Sequence, residues 1–145
     1  MQFMWADTLL AAERAHLLRL ILWGGVSLVL GGTLGVFLRA RGERSALLEQ
    51  FAIQTAVWGA IELALGANAM RTLDLRDLAG ATRLDRFLWL NVGLDLGYLL
   101  VGLTLVMVGW RVGRRLALIG TGIGVAVQGA ALVILQLGLA SQISR

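Results

Sequence analysis

The sequence predicts an all-α membrane protein, a bundle of four transmembrane helices arranged as two tandem hairpins. Composition is the first reason. Apolar residues make up 58% of the 145, charged residues only 15%, and mean hydropathy is +0.78, which suits lipid rather than water as solvent. The second is length. Four apolar runs, residues 20–38, 51–70, 87–110 and 116–140, match the ~20 helical residues needed to cross a ~30 Å hydrocarbon core. The third is pattern: none of the runs alternates as a barrel strand would, and none has the charged face of a surface helix.

The first run carries no charge. Before it, Phe3, Trp5, Leu9, Leu10 and Leu17 mix with Asp7, Thr8, Glu13 and Arg14, as in a short amphipathic lead-in at headgroup level. A cleaved signal is not expected. No basic stretch opens the chain, and the exit Gly35-Val36-Phe37-Leu38-Arg39 lacks small residues at cleavage spacing. The second run carries Glu62 and the third Asp95, the latter bracketed by Trp89 and Trp110 as by an aromatic belt. The fourth is again uncharged. Residues 72–86 read as a short, self-neutralised surface helix, with Asp74, Asp77 and Asp85 among arginines. The whole chain, residues 1–145, reads as one membrane domain.

All thirteen basic residues are Arg, and they sit in the gaps between apolar runs. That placement makes the lipid bilayer the expected partner and nucleic acid an unexpected one. Orientation stays undecided. Arg39, Arg41, Arg44, Arg111, Arg114 and Arg115 fall on one side, and Arg14, Arg19, Arg71, Arg76, Arg83, Arg86 and Arg145 on the other. With no Cys and a single His, neither a disulfide framework nor a metal site is expected, and no cofactor is predicted. His16 reads as an ordinary interfacial histidine rather than an axial ligand. No nucleophile triad, phosphate loop or zinc-ligand spacing occurs, and the order Gly-x-Gly-Asp of intramembrane aspartyl proteases is absent around Asp95. Catalysis is not expected.

Sliding the chain along itself by seventy residues aligns 17–65 with 87–135 at fourteen identities. These include Ala56, Val57, Gly59 and Ala60 with Ala126, Val127, Gly129 and Ala130, and Gly32 with Gly102. Such an offset predicts two parallel repeats of two helices, related by a pseudo-two-fold along the membrane normal.

Polar residues inside an apolar run are costly and therefore informative. Asn91, Asp95, Tyr98 and Gly102 share one face of the third helix at i, i+4, i+7, i+11. Gln54, Trp58 and Glu62 share a face of the second, and Gly120, Gly124 and Gln128 one of the fourth. Glu62 lies eight residues before the end of its run and Asp95 eight after the start of the next, so both sit ~12 Å inside the same boundary. The second and third helices run antiparallel across a short loop, which would let the two carboxylates meet. Asn68 and Asn91 then mark a mouth, with Tyr98 and Gln128 deeper. Two carboxylates so close cannot both ionise cheaply. They read either as a protonatable or cation-binding cluster, or as a hydrogen-bonded network that fixes helix register. Gly31/Gly35, Gly93/Gly97 and Gly120/Gly124 form GxxxG pairs suited to close packing. Gly93 and Gly97 face away from Asp95, as if toward a second subunit.

The run Asn91-x-Gly93-Leu94-Asp95-x-x-Tyr98-x-x-x-Gly102, with Trp58-Gly59, Gly120-Thr121-Gly122 and Gln128-Gly129, resembles a family of small four-span bacterial membrane proteins of unknown function. The likeness covers roughly residues 51–137. It implies an integral protein of the bacterial cytoplasmic membrane and adds no activity. Glu62 departs from it, standing where a neutral or amide residue is expected. The expected role is an accessory or scaffolding subunit, packing with other membrane subunits or as a homo-oligomer. The alternative is a small proton- or cation-coupled transporter or channel using Glu62 and Asp95.

Overall fold

The computed structural model describes residues 2–143, with side chains from Trp5 onward; Phe3 of the expected lead-in and Arg145 of the flanking charge fall outside those described side chains. It contains four helices, α1 (Gln2–Arg41), α2 (Ala46–Arg71), α3 (Leu78–Arg111) and α4 (Leu116–Ile143), and no strand among the described residues.

Three of the four, not all of them, are long and apolar enough to cross a membrane: α1, α3 and α4. In α2 the apolar run is diluted by Gln54, Trp58, Glu62 and Asn68, set among alanines and leucines. A second correction concerns the lead-in. It is no separate element, because α1 is one helix of 40 residues. Residues 11–20 are alanines, leucines and charged helix formers around a lone His, without Pro or Gly, so nothing breaks the hydrogen-bond ladder there. Likewise 78–86 forms no separate surface helix but opens α3, whose start is fixed by Asp77 accepting from the Gly80 N–H at 2.6 Å.

The long helices end where the backbone can turn left-handed. After α1, Gly42 (φ 65°) donates to Arg39 O and Glu43 to Leu38 O, the two bonds of a Schellman stop. After α3 the chain turns left-handed at both Gly113 (φ 75°) and Arg114 (φ 52°), and the Arg115 N–H donates back to Gly109 O at 2.8 Å. Ser45 then caps α2, accepting from the Leu48 N–H.

Each hairpin is closed along its length, α1 on α2 and α3 on α4; α2 also packs on α4, and α1 touches α4 more lightly. The backbones of α2 and α3 do not meet, so the expected α2–α3 contact is replaced by a diagonal relation. Glycines decide this. A Cβ on Gly59 would fall 2.6 Å from Gly24 O and against the Leu28 amide; one on Gly31 would fall 2.6 Å from Ala52 O. In the second hairpin a Cβ on Gly102 would fall 2.7 Å from Gly122 O, and one on Gly129 2.9 Å from Asp95 O. Helix backbones therefore touch, and any side chain would push them apart. On the α2–α4 seam Gly120 lies against Leu47 and Gly124 against Gln54. Gly35, Gly93 and Gly97 have nothing within 4 Å of their Cβ positions.

The contacts within the two hairpins correspond residue by residue. Gly31 sits on Ala52 and Ala56 as Gly102 sits on Gly122 and Ala126; Gly59 sits on Gly24 and Leu28 as Gly129 sits on Asp95 and Leu99. The shift is 71 residues between α1 and α3 and 70 between α2 and α4. Gly31 rather than Gly32 is thus the partner of Gly102, and Gly32 has open space around it. Replacing Gly59 or Gly102 by Val should destabilise the bundle by about 1–3 kcal/mol through overpacking, while Gly97→Ala should be neutral. Thermal unfolding in detergent checks the contrast.

Candidate functional site

At the end of the bundle where α1 begins and α4 ends, all four helices and the α2–α3 linker surround a cavity of about 360 Å³. Its polar lining comes from Glu13 and His16 of α1, Asn68 of α2, Arg76 of the linker, Asn91 of α3 and Gln136 of α4. Two of these contacts are firm. Arg76 Nε donates to both oxygens of Glu13, at 2.7 and 2.9 Å, tying the linker to α1. His16 Nδ1 lies 3.1 Å from Leu135 O; a carbonyl only accepts, so Nδ1 carries the hydrogen and Nε2 is the basic nitrogen. Glu13 and His16 are both buried. Asn91 donates to Phe87 O of its own helix at 2.7 Å, and Gln136 Oε1 is buried without a partner. At the same end of the bundle Leu88, Leu139 and Ala140 form a small apolar core.

One turn further in lie Glu62 and Asp95, 3% and 5% exposed. Glu62 sits where α2 crosses α1 at Gly24, and Asp95 where α3 crosses α4 at Gly129. The two carboxylates are within electrostatic reach of each other. Neither Glu62 oxygen, nor Oδ2 of Asp95, has a hydrogen-bond partner among the described residues. A fixed register network would have supplied amide or hydroxyl donors, and among the described residues none is aimed at these three oxygens. Among the described residues no third His, Cys, Asp or Glu joins the pair to make a multidentate metal group. The arrangement suits a proton or a monovalent cation, which one or two carboxylates can hold.

The buried amide of Gln128 faces elsewhere. Its Oε1 accepts from Trp23 Nε1 at 2.7 Å and its Nε2 donates to Ser27 Oγ at 3.3 Å, joining α4 to α1. Across the bundle Trp58 meets Tyr98 edge-on, ring centroids 5.0 Å apart, joining α2 to α3. Tyr98, expected on the inner stripe, is nevertheless 40% exposed, because α3 turns that face past α2 toward the outside. Asn68 is exposed at the cavity rim, and Gln54 is half-buried against Gly124.

Residue patterns did not anticipate Trp23, Gln136 or the Glu13–Arg76 pair. A tryptophan in an apolar run has no reason to stand out, and Arg76 pairs across 63 residues of sequence. Only the burial of an acid within a surface-like segment could have flagged Glu13.

The chain belongs to a family of unknown function, DUF6992. The family model matches residues 19–137. No curated protein and no solved structure matches the chain. The expectation of an uncharacterised family agrees with this membership. Glu62, Asp95, Trp23 and Gln128 fall inside the matched segment, whereas Glu13 and His16 precede it.

Trp23→Phe should leave the Gln128 carbonyl buried and unpaired, at a cost of about 1–3 kcal/mol. Gln128→Leu on top of it should recover part of that loss. A denaturation series on the single and double variants reads the difference.

Proposed function

We propose that this protein is a non-catalytic integral membrane protein in which all four helices cross the bilayer, and that Glu62 and Asp95 load a proton or a monovalent cation from the α1–α4 end. The single observation that carries the reading is that Glu62 and Asp95 are both deeply buried, with both Glu62 oxygens and Oδ2 of Asp95 lacking a donor among the described residues. Desolvating a carboxylate costs several kcal/mol unless a partner offsets it, and a bound proton or cation supplies that offset. The cavity one turn away, rimmed by Asn68, Asn91 and Gln136, supports entry from that end. On the membrane placement, the helix α2 is ~39 Å long and closes against both α1 and α4, so it shares their depth. Placement in a bacterial cytoplasmic membrane rests on the family resemblance.

We also read the two hairpins as one duplicated unit. The matched glycine contacts support it, as does the pairing of Ser27 with Gln128 on one side and Tyr98 with Trp58 on the other, positions related by shifts of 71 and 70 residues. The carboxylates break the symmetry: Gly24 stands at the place of Asp95, and Leu132 at the place of Glu62.

In proteoliposomes with an imposed pH or alkali-cation gradient, the wild type should dissipate the gradient, and Asp95→Asn and Glu62→Gln should not. Both variants should melt at or above the wild-type temperature, since each removes a buried charge without donors. No flux in the wild type, together with a lower melting temperature in both variants, would return the pair to a purely structural role.

One observation favours a second role as an accessory or self-associating subunit. Gly93 and Gly97 make a smooth, exposed track on α3 between Leu90, Leu94 and Val101, and α3 packs along no helix but α4. The chain has no cysteine, so Gly97→Cys offers a clean probe. Oxidative crosslinking to a dimer in native membranes is the expected result, and a monomer throughout argues against that role.

A further inference from the structure

The light contact between α1 and α4 leaves an open furrow on the outside of the bundle. Two cavities lie along it, of about 580 and 610 Å³, each within the ~300–1,000 Å³ range of small-molecule sites. Both are lined by Trp23 and Val26, so they continue into one another along α1. The outer one runs between Leu22 of α1 and Ile134 and Leu135 of α4, walls that are almost wholly apolar. Its charged group is Arg19, at the end nearest the His16 cavity. Arg19 is exposed and makes no ion pair or hydrogen bond among the described residues.

We propose that this furrow is a lipid site, taking one acyl chain of an anionic phospholipid whose phosphate is held by Arg19. The inference rests on the membrane placement of the bundle and is independent of any role of Glu62 and Asp95. Charge complementarity selects the headgroup: a guanidinium without an ion-pair partner among the described residues holds phosphate through forked donors, and a headgroup with no choline cation keeps the net negative charge that answers it. Depth selects the chain. Val26 lies two turns below Arg19, ~10 Å along the helix axis, inside the ~15 Å of one leaflet's hydrocarbon. Trp23 lines both cavities, and its Nε1 is already committed to Gln128, so the chain meets the apolar face of the indole. Lipid held here would also fill the gap that two lightly touching helices leave and would tie α1 to α4.

Trp23 is itself a reporter for the test. A variant with Trp5, Trp58, Trp89 and Trp110 changed to Phe keeps Trp23 as the sole tryptophan. It is titrated in detergent with phosphatidylglycerol or phosphatidylcholine, each brominated on the acyl chain. Saturable quenching by the anionic lipid is expected at about a tenfold lower concentration than by the zwitterionic one, the scale of one charge-assisted contact. Arg19→Gln should erase that difference, and Ala131→Phe, which fills the furrow, should abolish the quenching. Equal quenching by both lipids in the parent would mean unselective annular lipid and overturn the proposal, as would quenching that survives Ala131→Phe. Because four substitutions could impair folding, native mass spectrometry of the otherwise unchanged chain gives a second reading. One phosphatidylglycerol retained by the wild type and lost in Arg19→Gln is expected. No selective retention, or a dimer that excludes lipid from the furrow, counts against it. Neither measurement involves flux, so failure here leaves the carboxylate reading standing, and failure there leaves this one.

Discussion

Helices that are apolar nearly all round cannot be sorted by a hydrophobic stripe, so the geometry of this bundle falls to the places where two backbones can touch. Those places are glycines. Gly24, Gly31 and Gly59 draw α1 onto α2, and Gly102, Gly122 and Gly129 draw α3 onto α4, with clearances that admit no Cβ. Once the hairpins are closed in this way, Gly120 and Gly124 fix how α2 lies on α4. The positions of Glu62 and Asp95 follow, since each carboxylate is attached next to one of these crossings. A side chain added at Gly59 or Gly129 would therefore disturb the acidic pair as well as the packing.

The polar groups of the interior fall into two regimes. At the end of the bundle where α1 begins and α4 ends, two polar groups find partners: Glu13 pairs with Arg76, and His16 donates to a backbone carbonyl. Mid-bundle, Gln128 spends its amide on Trp23 and Ser27. Between them both Glu62 oxygens and Asp95 Oδ2 stand without donors among the described residues. A protein that satisfies Glu13, His16 and Gln128 yet leaves both Glu62 oxygens, Asp95 Oδ2 and Gln136 Oε1 unanswered among the described residues has a local conflict of the kind that accompanies function more often than architecture.

Helix content and helix number could be read from the apolar runs, because 3.6-residue geometry and chain length leave few alternatives. The buried placement of Glu62, Asp95 and Gln128 was legible for a related reason, since polar groups in such runs have to be turned inward. What was not legible depended on pairing. Facing glycines choose neighbours, and a glycine's partner is invisible along one chain, so α2 was set against α3 instead of diagonal to it. Tyr98 moved outward with that change. The repeat alignment had the same weakness: an ungapped shift of seventy fits α2 and α4, but the left-handed stop at Gly42 and its counterpart Gly113 are 71 apart. Gly32 was therefore matched where Gly31 makes the contact. The separate lead-in failed because polarity changes near residue 20 while helix propensity does not.

The pairing of each helix with its immediate successor bears on how the chain is assembled. Contacts made over short stretches of sequence carry little loop-closure entropy and form early. The α1–α2 hairpin is complete in sequence by Arg71, before α3 has been synthesised, and nothing in its glycine seam requires α3. The second hairpin can close in the same manner. Only the α2–α4 seam and the lighter α1–α4 contact wait for the whole chain, and it is across this late-forming boundary that Gln128 reaches Trp23 and Ser27. Folding thus becomes the docking of two preformed halves, with a buried amide checking at the last step that they have met in the right register.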